Sequence, residues 1–213
     1  MGIQADGARV LRPDLDDALD LYAHYRDNTG TPVVLDYAEA YNEDDGIRRA
    51  VDGEIADVAR AVDDFAQHQD SFAVTSRQYT AVNEAAGTYP TTENWQKSLG
   101  GHNIWSSADV EVVGDEVRMH VTVHAEDRYD FNEDAADIAS GAPDDENGRF
   151  STLGWAQGFE TSGAVTRYIT WRLGDPVGEV PPGEGSEDRD HTGGSDPRGP
   201  ADDRNGSRSD DPQ

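Results

Sequence analysis

The apolar residues Ile47, Val51, Ile55, Val58, Val62 and Phe65 recur at steps of four, four, three, four and three. At 3.6 residues per turn this spacing puts them on one helix face, and it predicts a helix over 45–68. Asp44 and Asp45 stand where side-chain oxygens cap a helix start. Gly53 lies inside and costs about 1 kcal/mol relative to alanine. An earlier helix is expected over 13–28. Pro13 suits its first turn, and Leu15, Leu19, Tyr22 and Tyr25 form its apolar face. Acids cluster at its start, where the helix dipole favours them, and Asn28-Thr29-Gly30 stops it. Val33-Val34-Leu35 reads as a short extended segment within 31–37.

After Asp70 the period changes from 3.6 to 2. Segments 71–76 and 78–83 are candidate strands. Thr91-Thr92-Glu93-Asn94-Trp95 opens a short helix that Gly100-Gly101 ends. Segments 108–113 and 116–126 carry the strongest hairpin signal, with Gly114-Asp115 as a two-residue type II′ turn. In the second of these strands Val117, Met119, Val121, Val123 and Ala125 alternate with Arg118, His120, Thr122, His124 and Glu126, which predicts one buried and one wet face. Segment 127–147 reads as a loop of about twenty residues, a length that favours a functional or mobile segment. A short helix is expected over 148–159, with Phe150, Leu153 and Trp155, and a last strand over 164–173.

These elements predict an α+β fold, with N-terminal helices packed on an antiparallel sheet of about four to five strands. The expected organisation is a flexible arm over 1–10 and one domain over 11–174, helical to residue 70 and β-rich beyond it. Residues 175–213 hold eleven acids, four arginines and only two large apolar residues, Val177 and Val180. Such a stretch cannot bury enough surface to offset its chain entropy, so it is expected to be a disordered acidic tail.

The formal net charge is −27, of which about −20 belongs to the body. So acidic a surface repels nucleic-acid phosphates and anionic membranes, which argues against nucleic acid as a partner. Lys97 is the one lysine, against sixteen arginines. The absence of cysteine removes disulfides, thiolate metal sites and thiol chemistry. The first residues lack the basic and apolar regions of a classical signal peptide, and no run approaches the eighteen apolar residues of a membrane span.

The candidate chemistry gathers in Asp127-Arg128-Tyr129-Asp130-Phe131-Asn132. Asp127 and Asp130 have the hard oxygens that suit a shared Mg²⁺, and either one suits general-base or nucleophilic work if its partner raises its pKa. Tyr129 offers a hydrogen bond to a phosphate oxygen. Asn132 and His124 are further candidate substrate contacts. The competing reading is that acidic turn residues cap secondary structure while Tyr129 and Phe131 pack. His120 and His124 lie roughly 13 Å apart on one strand face, too far to share a metal directly. His102, in a loop, is a further residue that folding could bring to the site.

The segment resembles the catalytic turn of the colicin M-like bacteriocins, which degrade the peptidoglycan precursor lipid II. That family carries Asp-x-Tyr-Asp, five residues, then His-Arg, at a strand end before a helix and another strand. Asp127, Tyr129 and Asp130 match; Ala136 and Asp137 stand where His-Arg would fall, and Arg149 opens the next helix. The piece from His24-Tyr25 through Thr29-Gly30-Thr31-Pro32 and Leu35-Asp36 also resembles a segment that precedes toxin domains in bacterial polymorphic toxins. The resemblance implies a toxin-like phosphodiesterase acting with Mg²⁺ on a lipid-linked pyrophosphate. In it Asp127 and Asp130 handle the metal or activate water, Tyr129 positions the substrate and Arg149 holds phosphate oxygens. It further implies an immunity protein as a partner and a dedicated secretion route. The alternative is a secreted or cytoplasmic binding module without catalysis, consistent with the missing His-Arg pair.

Overall fold

A computed structural model describes residues 11–81, 85–131 and 145–175, with backbone alone for 145–148. After a 3-10 turn at Pro13–Leu15, the helices are α1 (Asp16–Asp27), α2 (Tyr37–Glu43), α3 (Asp45–Ala66), α4 (Glu93–Ser98) and α5 (Asp145–Thr152). The strands are β1 (Val33–Val34), β2 (Ser71–Thr75), β3 (Tyr79–Thr80), β4 (Asn103–Val113), β5 (Glu116–Tyr129) and β6 (Phe159–Arg172). They form one six-stranded sheet in the order β1-β6-β5-β4-β2, with β3 also paired to β4. The α+β expectation holds, but the sheet is mixed rather than antiparallel, because β1 runs parallel to β6.

The periodic helix forms as the spacing dictates. Ile47, Val51, Ile55 and Val62 are fully buried. The Asp44 carboxylate accepts from the Gly46 and Ile47 N–H groups at 2.8 and 3.0 Å, which caps α3. Its other oxygen accepts from the Thr91 and Thr92 N–H groups at 2.8 and 2.7 Å, tying α3 to the start of α4. Burial pushes the Asp44 pKa up, but these donors outweigh it and hold the group below the usual carboxylate range. Helix α2 falls within a stretch that carries no long apolar period; Asp36 caps it by accepting from the Glu39 N–H.

The hairpin register pairs Val113 with Glu116 across Gly114-Asp115. Gly114 has φ 68°, and Asp115 is not among the residues of positive φ, as a type II′ turn requires. Both hairpin strands run further than their alternation suggested. β4 begins at Asn103, and β5 continues through Tyr129, whose partner is Phe159. Asp127, Arg128 and Tyr129 are therefore strand residues, not the start of a loop. Asn132, Ala136, Asp137 and most of the expected loop lie outside the described residues, as do the expected arm and residues 176–213 of the expected tail.

The helices cover one face of the sheet. Val117, Met119, Val121, Val123 and Ala125 of β5 are buried beneath them, with Val165, Ile169 and Trp171 of β6. Glu54 of α3 is also buried, and its Oε1 accepts from the Ser76 and Ser106 hydroxyls at 2.5 and 2.6 Å, joining helix to sheet through a satisfied carboxylate. Among the described residues no helix is long and apolar enough to cross a membrane.

Candidate functional site

The site is the far end of β5, where the register Asp127↔Thr161, Arg128↔Glu160, Tyr129↔Phe159 brings a run of polar and aromatic side chains together at the ends of two interior strands. Alternation splits them. Arg128 and Glu160 share the face away from the helices. Asp127 and Tyr129 share the helical face, continuing the buried series of Val123 and Ala125.

Asp127 is partly buried, and burial is the main reason its pKa is pushed up to about 7. The backbone N–H of Arg128 works against that rise, and the charges of Asp130 and Glu160 add to it. A carboxyl that exchanges its proton near neutral pH at a strand end has the property that acid–base catalysis needs. The Thr161 hydroxyl donates to the Asp127 backbone carbonyl at 3.1 Å and fixes this part of the strand.

Arg128 supplies the guanidinium of the corner. Its Nη1 lies 2.6 Å from Glu160 Oε1, and its Nε lies 3.2 Å from Asp130 Oδ2. Its own pKa is raised chiefly by the hydrogen bond to Glu160. Arg149 is exposed on α5. Two residues on, Ser151 hydrogen-bonds the Tyr25 hydroxyl. Residues two apart on a helix point about 200° apart, so the side of α5 that meets Tyr25 is Ser151's and not Arg149's.

Tyr129 is buried among rings. It stacks on Phe159 with centroids 5.1 Å apart and meets Tyr25 and Phe131 edge-on at 6.2 and 5.6 Å. Its ring anchors the strand end. Tyr25 sits at the junction of the pieces: its ring lies 5.0 Å from Phe131, its carbonyl accepts from the Gln157 N–H at 3.1 Å, and it feels the charge of Asp130.

His124 lies on the open face, stacked on Trp105 at 4.9 Å and hydrogen-bonded to the Ser107 hydroxyl at 3.0 Å. It is four residues back from Arg128, roughly 13 Å along the strand. His120 stacks on Tyr168 at 4.1 Å. His102 does not join the corner. It is fully buried, with Nδ1 3.2 Å from the Gly100 carbonyl and Nε2 2.9 Å from the Tyr37 hydroxyl. A carbonyl only accepts, so Nδ1 carries the proton and Nε2 accepts from the tyrosine. Burial drives its pKa down to about 4, which keeps it a neutral core histidine.

Glu160, Arg128, Tyr25 and Ser151 are corner residues that sequence reasoning missed. Arg128 lay in view inside the motif. Glu160 carried no signal, because only the pairing of β5 with β6 brings it opposite Arg128. Among the described residues no group of three or more His, Cys, Asp or Glu is arranged to hold a metal ion.

No family model matches the chain. No curated protein matches it either. Among solved structures it is similar to the bacteriocin syringacin M from Pseudomonas syringae pv. tomato DC3000, at 13% identity and a TM-score of 0.43, over 73% of this chain and 52% of that one. It is also similar to a truncated form of the same bacteriocin, at 15% identity and a TM-score of 0.40, over 74% of this chain and 60% of the other. The chain thus spans about half the length of full syringacin M.

Proposed function

We propose that this chain is a toxin-like domain whose β5 corner hydrolyses a phosphate ester of a lipid-linked pyrophosphate, the lipid II class of substrate. The observation that carries the proposal is the Asp127 carboxyl, raised to about 7 by burial with the charges of Asp130 and Glu160 adding, at a corner where the Arg128 guanidinium pairs with those same two carboxylates. The Asp127-x-Tyr129-Asp130 resemblance supplies the substrate class.

In this reading a water oxygen bonds to phosphorus and the bond from phosphorus to the bridging oxygen breaks. Asp130 accepts the water's proton, and protonated Asp127 delivers its own to the departing oxygen, so protons balance. Arg128 lies ready to exchange a carboxylate for phosphate oxygens, which a guanidinium binds in a fork. Arg149 lies off the side of α5 that meets Tyr25, so the phosphate contact that the resemblance implies for it passes to Arg128 in this reading. Tyr129 holds the strand end in place through its ring.

The donors at the corner are hard oxygens, and the excess of carboxylate over guanidinium charge that helps raise Asp127 suits a cation. Mg²⁺ is commonly held by one or two carboxylates plus substrate phosphates; Asp130 would hold it here. When bound, the ion would neutralise charge building on the phosphate oxygens.

The test is cleavage of lipid II and growth inhibition of a sensitive cell by Asp127→Asn and Asp130→Asn. Loss of both activities in folded variants supports the reading; turnover unchanged from wild type overturns it. Arg149's exposure favours a second reading, a binding module without catalysis, which predicts saturable lipid II binding with no turnover in the wild type.

A further inference from the structure

Helix α5 ends in a tightly specified cap. Gly154 takes φ 70°, its N–H donates to the Ser151 carbonyl at 2.9 Å, and the Trp155 N–H donates to the Phe150 carbonyl at 2.7 Å. This pair of bonds is the Schellman motif, in which the residue after the glycine packs on the residue four before it. Phe150 and Trp155 do meet, with ring centroids 6.4 Å apart. The Asn28 side-chain amide donates to the Gly154 carbonyl at 3.0 Å and pins the cap to the end of α1. Yet Trp155 remains 60% exposed and Leu153 58%, while Trp95, Trp105 and Trp171 are all below 10%. A rigid backbone thus holds an indole and a leucine out into solvent.

Cationic groups flank them in a strongly acidic protein. The Arg26 guanidinium lies 3.7 Å over the Phe150 ring, and Arg149 is exposed one residue before it. The patch also runs into the corner within a few residues. The Gln157 N–H donates to the Tyr25 carbonyl, and a Cβ on Gly158 would lie 3.1 Å from that of Asp130.

We propose that Phe150, Leu153 and Trp155, flanked by Arg26 and Arg149, dock this domain on a lipid–water interface bearing anionic phosphate headgroups. Each group suits its depth. An indole settles at headgroup level, with its ring toward the acyl chains and its N–H wet. Leucine reaches the acyl boundary, and guanidinium groups bind lipid phosphates in a fork. The rest of the acidic surface is repelled by such a membrane, which leaves this face as the one that turns toward it. The inference deepens the proposed function: a lipid-anchored phosphate would be met at headgroup level, beside the β5 corner.

Because Trp155 is the one strongly exposed indole, intrinsic fluorescence reports on this patch. The experiment mixes the full chain with phosphatidylcholine vesicles containing phosphatidylglycerol, with and without brominated acyl chains, and follows emission and co-sedimentation. Expected are a blue shift, quenching by the brominated lipid, and at least a tenfold loss of vesicle binding in Leu153→Ser/Trp155→Ser. Absence of quenching overturns the proposal. So does equal sedimentation of the double variant, or a shift that follows protein concentration without vesicles, which would mark a contact between copies. The vesicle readout is independent of turnover: Asp130→Asn should bind vesicles like wild type. Vesicle binding without lipid II cleavage would therefore sink the proposed reaction and leave this surface standing.

Discussion

Arg128 and Glu160 face each other across β5 and β6, joined Nη1 to Oε1 at 2.6 Å, while the same guanidinium reaches Asp130 at 3.2 Å. One cation therefore balances two carboxylates beside a third, Asp127, that is already pushed up to about 7. Exposed pairs of this kind contribute only about 0–1 kcal/mol to stability. Arg128→Gln should accordingly lower the melting temperature little while abolishing lipid II cleavage. It should also move the Asp127 titration to still higher pH, since Asp130 and Glu160 lose their counter-charge. Thermal melts and a carboxyl NMR titration check both effects.

Asp127 binds its proton more tightly folded than unfolded. Its contribution is fully present below the ordinary aspartate range, near 4, and is lost as pH rises toward 7. Asp127→Asn cannot lose a proton, so its stability relative to wild type should rise between pH 4 and pH 8. The gain should be on the order of 1–2 kcal/mol once solvent screening is allowed for. Urea denaturation at the two pH values measures it. If Asp127 is the general acid of the proposed reaction, wild-type cleavage should fall above pH 7 as it deprotonates.

Asp130 lies in an exposed position at the corner. Asp130→Asn should leave stability within about 0.5 kcal/mol, as surface substitutions do. Turnover should fall by about 10²-fold or more, the scale of a lost acid–base group. Steady-state kinetics on lipid II, beside a denaturation curve, separates the two.

Glu54 is buried and accepts from two serine hydroxyls. Glu54→Ala would strand both hydroxyls and open a void between α3 and the sheet. A loss of about 2–4 kcal/mol is expected, from the unsatisfied groups and the cavity together. Because Ser106, which Glu54 holds, pairs with Val123, four residues or roughly 13 Å short of Asp127 on β5, kcat of the fraction that remains folded should not change. Equilibrium unfolding and active-fraction kinetics test this.

His102 is held neutral in the core, with its pKa pushed down to about 4. Stability tied to it is present above the ordinary histidine pKa, near 6.5, and is lost as pH falls toward 4. A variant that keeps the core without the titrating ring, His102→Gln, should show a shallower loss of stability between pH 6.5 and pH 4. Melting temperatures across that range check it.

Much of this protein follows from local pattern. The 3.6-residue period over 47–65 determined α3, because only one helix face can bury Ile47, Val51, Ile55, Val58 and Val62 together; Phe65, at the end of the series, stays 52% exposed. Strict alternation determined the 108–126 hairpin and its buried face, and Gly114 admitted the type II′ turn. The motif at 127–130 also marked the segment where the corner lies. Pattern failed where the deciding partner is distant in the chain. That β5 runs on through Tyr129, that β1 joins β6 in parallel, and that α2 is helical depend on neighbours brought in by folding. The guanidinium at the corner, Arg128 rather than Arg149, was chosen by the β5–β6 register that sets Glu160 across from it. The protonation range of Asp127 was likewise set by burial and by charges from another strand. Sequence determines which side chains share a face, because that geometry is local; tertiary structure decides which faces meet, and hence which charges and rings act on one another.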